Sequence, residues 1–130
     1  MMKTSFKNIA LVLCFATVLV FTSCNSDESQ REKIVGSWTC TYDYYEYYSD
    51  IRENRFKGDV IIFREDQTCL TNGSRVLTDN PKIEPVAWSI IDDSLYIDGK
   101  KWYIEELTKN KLKVKDWKSD NNYEIIEFKK

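Results

Sequence analysis

Hydrophobic and polar positions follow two different patterns along the chain. Residues 9–21 form a nearly unbroken apolar run behind Lys3 and Lys7, and no acidic residue occurs before Asp27. A membrane-crossing helix needs about 20 apolar residues; this run, interrupted at Thr17 and followed by Thr22, falls short of that. A basic start and an apolar middle therefore predict a cleaved secretory signal. From Ile34 onward the pattern changes to period two. Trp38, Cys40, Tyr42 and Tyr44 share one parity, and Ser37, Thr39, Thr41 and Asp43 the other. That alternation of β-prone residues predicts a half-buried strand over 34–48. With Trp38 inward, Tyr42 and Tyr44 point inward as well, and Tyr45 and Tyr47 point out.

Seven more strands are expected over 57–64, 68–72, 86–91, 95–98, 101–106, 112–117 and 123–128. A turn of helix is expected over 31–35, and irregular chain over 49–54 and 73–85, where Asn72-Gly73 and Asn80-Pro81 act as breakers. The remaining connections, such as Glu65-Asp66-Gln67, Asp92-Asp93-Ser94 and Asp98-Gly99, are short. Short turns join antiparallel neighbours, because a parallel crossover takes a dozen residues or more. Many short, evenly spaced strands with no helical period predict an all-β fold: an antiparallel eight-stranded up-and-down barrel that closes and so hides its edges.

Composition narrows the chemistry. The 130 residues suit one domain, and none of them is histidine. A Ser/His/Asp triad, a Cys/His pair, a His-ligated zinc and a histidine pH switch are thereby excluded.

Val20-Phe21-Thr22-Ser23-Cys24 resembles a bacterial lipobox, the site cut by the lipoprotein signal peptidase. The resemblance implies a signal peptide over 1–23 and lipidation of Cys24, whose three acyl chains would anchor the protein firmly to a membrane. Residues 24–33 then form a polar tether. Its Asn25-Ser26-Asp27-Glu28 start resembles the acidic export tag of some Gram-negative outer-membrane lipoproteins, and a plain solvated linker has the same composition. The expected location is the bacterial outer membrane, on its periplasmic or cell-surface side. Removal of residues 1–23 leaves 17 basic against 21 acidic side chains, so nucleic acid is not an expected partner. Cys40 and Cys69 are the cysteines left in the domain; spacing leaves open whether they form a disulfide or stay as buried thiols.

A second resemblance covers nearly all of residues 34–129. Gly36-Ser37-Trp38 matches the G-x-W of lipocalins, Phe63-Arg64-Glu65-Asp66-Gln67-Thr68 looks like the F-x-x-D-G-T hairpin of lipocalin-like domains in small bacterial lipoproteins, and Trp88-Ser89-Ile90 with Leu95-Tyr96-Ile97 resembles their W-x-I turn L-x-I hairpin. The chain departs from the pattern at Gln67, where the family has glycine, and ends Phe128-Lys129-Lys130 without the arginine that covers the tryptophan in better-known lipocalins. The resemblance implies a barrel over 34–130 with Gly36 allowing close backbone approach and Trp38 plugging the closed end.

Function is expected to be binding rather than catalysis, since no nucleophile has a base beside it; no catalytic residue, metal or cofactor is assigned. A small apolar or amphipathic ligand would sit inside the barrel or at its mouth, lined by Tyr42, Tyr44, Trp88 and Trp102. The other reading is an interaction module, a filled barrel whose outer surface docks an envelope protein or glycan. An open cavity of about 300 Å³ or more favours the first and a packed interior the second. The alternating Lys109, Lys111, Lys113 and Lys115 read as a solvated outer face.

Overall fold

The computed structural model describes residues 27–130. The expected signal over 1–23 and Cys24 lie outside the described residues. A short helix, α1 (Asp27–Ile34), carries acidic residues in its first turn and Arg31 and Lys33 in its last, an arrangement that complements the helix dipole. It exceeds the expected turn over 31–35 at its N-terminal side. Nine strands follow: β1 (Gly36–Tyr47), β2 (Asp50–Glu53), β3 (Val60–Phe63), β4 (Thr68–Leu70), β5 (Val86–Ile91), β6 (Ser94–Ile97), β7 (Lys100–Leu107), β8 (Lys111–Ser119) and β9 (Asn122–Lys129). All pairings are antiparallel, and β1 pairs with β9, so β1 and β3 to β9 close an eight-stranded barrel with β2 as an addition. This closure and its core lie within one compact unit, residues 31–130.

The eight expected strands are present, and two details differ. Residues 49–54, expected to be irregular, contain β2, which pairs with the second half of β1 along the edge that β3 leaves free. All four β2 residues are exposed, so no buried-face alternation marks the strand in the sequence. The second difference lies in β1. Its register with β9 shifts between Cys40 and Tyr42, leaving Thr41 as an extra residue. Such a bulge reverses the parity of everything after it. Asp43 is fully buried as a result, and Tyr42 and Tyr44 stand opposite Glu127 and Ile125 on the outer face. The inward placement expected of these two tyrosines is corrected accordingly, and Tyr45, expected outside, turns in.

Two tight turns follow directly from their residues. Asp92-Asp93 and Asp98-Gly99 are two-residue hairpin loops with positive φ throughout, the geometry that suits the twist of the flanking strands and favours Asp and Gly. At the β3–β4 hairpin Gln67 takes φ 64°, the left-handed value for which glycine is the unstrained choice. Asp66 supports that turn by accepting the Thr68 N–H at 3.0 Å and the Thr68 hydroxyl at 2.6 Å. These bonds hold the Asp66 carboxyl below its ordinary pKa.

One end of the barrel is sealed by Trp38, which is fully buried. Its indole N–H donates to the Ile34 carbonyl at the end of α1 at 2.7 Å. The Lys130 ammonium lies 5.0 Å from the Trp38 ring centroid and donates to the carbonyls of Lys33 at 2.9 Å and Val35 at 2.7 Å. Lysine thus covers Trp38 in this chain, where the resemblance to better-known lipocalins would have an arginine. Gly36 suits this position because its φ of 135° is strained for any residue that carries a β-carbon.

Trp38, Phe63, Trp88, Trp102 and Phe128 all point into one continuous core, together with Cys40 and Cys69. The two cysteines are free thiols on strands separated by β3, which decides the open question of their pairing. Burial raises each thiol to a pKa of about 12. The irregular chain over 71–85 is not a surface loop throughout. Val76, Leu77 and Thr78 are buried, and the Leu77 carbonyl accepts the Trp102 indole N–H at 2.9 Å. This loop partly stoppers the barrel end opposite Trp38.

Candidate functional site: a charged cavity at the barrel mouth

The bulge in β1 also builds the site. Once Asp43 is turned inward its carboxylate must be satisfied, and it accepts the backbone N–H groups of Arg55 at 3.1 Å and Phe56 at 2.8 Å and the Arg55 Nε at 3.3 Å. The Asp43 carbonyl takes the Asn54 N–H at 2.9 Å. One buried carboxylate therefore fixes the chain that returns from β2 across the mouth. The Arg55 guanidinium lies 4.5 Å from the Tyr45 ring centroid and 4.7 Å from that of Phe56, and pairs with Glu124 on β9. Burial raises the Glu124 pKa, with Arg55 pulling the other way.

Across from this cluster, Lys100 sits 4.7 Å from the Trp102 ring centroid and reaches Asp79 at 3.3 Å and Asp116 at 3.8 Å. Between the two clusters lies a cavity of about 350 Å³, which Arg52 and Arg75 also line. Arg52 pairs with Asp50 at 3.3 Å, with both side chains largely in solvent. Among the described residues no carboxylate pairs with Arg75. A smaller hollow of about 260 Å³ shares Tyr45, Lys100 and Glu124. Another of about 340 Å³, between residues 58–60 and 71–74, has no aromatic or cationic side chain on its wall.

Of the four residues expected to line a ligand site, Trp102 alone reaches the mouth cavity. Trp88 is core: it packs edge-on against Phe63 at 5.5 Å, and its indole N–H donates to the Arg64 carbonyl at 3.1 Å. Tyr42 and Tyr44 are outside. The Tyr42 hydroxyl donates to Glu53 at 3.1 Å. The Tyr44 hydroxyl donates to Glu46 at 2.7 Å, and its ring stacks on Tyr123, which in turn meets Trp117 at 4.8 Å. Sequence reasoning missed Arg52, Arg55, Arg75, Lys100 and Glu124. A signal existed for two of them. Lys100 shares the inward parity of Trp102, and Glu124 that of Ile126 and Phe128, and a charge at an inward position marks a site or a buried pair.

The arrangement of a closed eight-stranded meander, a Gly36-x-Trp38 seal and a cavity at the far end agrees with a comparison of the chain against known families, in which the lipocalin-like domain matches residues 34–114. The chain belongs to this family. The chain matches none of the curated proteins and none of the solved structures. In the lipocalin-like domain the matched stretch ends within β8, and the closure by β9 follows from its pairings with β1 and β8. The fold of such a domain suits ligand binding, and the lining here combines aromatic rings, charged side chains and Thr78. On the outer face, Lys111 pairs with Glu106 and both Lys113 and Lys115 pair with Glu105, at 3.4 to 3.8 Å, so two carboxylates partly offset that stripe.

Proposed function

We propose that the protein is a lipoprotein of the bacterial outer membrane, cut after Ser23 and anchored through Cys24, whose lipocalin-like domain holds a small amphipathic molecule at the barrel mouth without covalent chemistry. The observation that carries this reading is the cavity of about 350 Å³, walled by both aromatic and charged side chains, at the one end of the barrel that Trp38 does not seal. Aromatic walls supply apolar area and the charged groups supply orientation. Of the two expected places the filled interior favours the mouth, and of the two expected ligand types the charged lining favours the amphipathic one.

Two experiments test the two parts. Metabolic labelling with an acyl precursor should tag the wild type and not Cys24→Ala; equal labelling would remove the anchor. Titration of residues 25–130 with amphipathic compounds, followed by tryptophan emission, should give saturable quenching. A second reading is supported by the filled core and by the outward Tyr44, Tyr123 and Trp117 group: a module that docks an envelope protein or glycan. A pull-down from envelope extract that returns one partner, lost on Trp117→Ala, combined with no response to any amphiphile, would favour it.

A further inference from the structure

The chain has five arginines and fourteen lysines. Three of the arginines, Arg52, Arg55 and Arg75, line the mouth cavity, against Lys100 alone among the lysines. They come from three separate stretches: β2, the turn after it and the loop over 71–85. Lysine serves the outer faces and arginine gathers here, although either residue would keep a surface soluble. The guanidinium differs by its flat fork of N–H donors, which fits the paired oxygens of a carboxylate or phosphate.

The three arginines are not equivalent. Arg55 is committed, held by Asp43 and Glu124 and enclosed by two aromatic rings, so it forms a fixed floor. Arg52 has one partner, Asp50, in an exposed pair of the kind that is worth little and exchanges readily. Arg75 has no carboxylate partner among the described residues. We propose that the mouth cavity holds an oxyanion, the carboxylate or phosphate head of an amphipathic molecule, clamped by Arg75 and Arg52 above Arg55. This rests on the mouth-level ligand reading above and names the head group that reading leaves open.

The surrounding carboxylates permit it. Asp43 and Glu124 are occupied by Arg55, and Asp116 is within reach of Lys100. Asp79 has 83% of its side chain exposed and is free to swing into solvent, and Asp50 is the group that an incoming oxyanion displaces from Arg52. Tyr47, Tyr48 and Ile51, exposed at the same end, offer apolar area beside the cavity for the rest of the molecule.

The test is calorimetry on residues 25–130, which include the whole closed barrel, with octanoate, octyl phosphate, 1-octanol and inorganic phosphate, below micellar concentrations. The two charged amphiphiles should bind about tenfold or more tighter than octanol, and Arg75→Gln and Arg52→Gln should each remove most of that preference. Lys111→Gln on the outer face should change nothing. Arg75 is exposed in a loop and supports no packing, so its loss does not threaten the fold. Octanol binding as well as octanoate, or arginine variants that bind like wild type, would overturn the oxyanion clamp and leave the mouth site standing. Inorganic phosphate binding as tightly as octyl phosphate would support the clamp and assign it to a free anion instead of a lipid-like head. No binding by any of the four compounds would overturn both the clamp and the mouth-level reading.

Discussion

The two ends of this barrel solve the same packing problem with different chemistry. At the Trp38 end one cation, Lys130, is tied to two helix-end carbonyls and laid over the indole, and every polar group named there bonds to backbone. At the opposite end the buried carboxylate of Asp43 holds Arg55 and, through it, Glu124, so three charged side chains from three parts of the chain meet. Backbone carbonyls are fixed, so the first end is a seal. Side-chain ion pairs exchange partners, which is why the proposed ligand is placed at the second end. Stability and binding are expected to separate along the barrel axis.

The largest effect that would sharpen this contrast is at the seal. Trp38→Ala should cost about 3 to 5 kcal/mol in chemical denaturation, as expected for a fully buried aromatic ring. An unchanged midpoint would mean that this end is not what holds the barrel. Next comes the organiser of the mouth: Asp43→Asn should cost about 2 to 3 kcal/mol, because it leaves the partly buried Arg55 with half its ionic support. A cost near zero would show that the β2 excursion is held by its strand pairing alone.

The two thiols give a smaller effect spread through the core. Their folded pKa of about 12 lies above the ordinary value of 9.0. The unfolded chain therefore loses these protons first, and stability should fall as pH rises from 9 toward 12, by on the order of 1 kcal/mol per thiol between pH 8 and 10. The measurement is the difference in denaturation midpoint between wild type and the Cys40→Ala/Cys69→Ala double variant at the two pH values. A pH-independent difference would place the thiols in contact with water. Smallest is the β3–β4 hairpin, outside both ends. Gln67→Gly should stabilise by about 0.5 kcal/mol, relief of left-handed strain exceeding the added backbone entropy of glycine. A loss on thermal denaturation would show that the Gln67 side chain contributes more than its strain removes.

Much of the frame was legible because barrels repeat one rule. Alternation placed Trp38 and Cys40 inside, and Asp92-Asp93 and Asp98-Gly99 marked turns that demand positive φ. The site was less legible, for two physical reasons. A bulge adds one residue without a compositional mark, so the parity that correctly placed Trp38 and Cys40 misplaced Tyr42 and Tyr44 two residues later. The other reason is that Arg75 reaches the mouth through a loop whose buried Val76 and Leu77 have no period to read. Lys130 is a further case. In the sequence the lack of an arginine there reads as a departure with no role for Lys130, and only the geometry shows it laid over Trp38 and bonded to two carbonyls.

The four tryptophans stand in four different places: Trp38 at the seal, Trp88 in the core, Trp102 at the mouth cavity and Trp117 on the outer face. Their indole N–H signals in a ¹⁵N correlation spectrum therefore report on each region separately. On titration with octanoate, Trp102 should shift in a saturable manner and Trp38 should stay fixed. Shifts confined to Trp117, or reaching Trp38 and Trp88 while Trp102 stays still, would contradict a binding mouth above a sealed barrel.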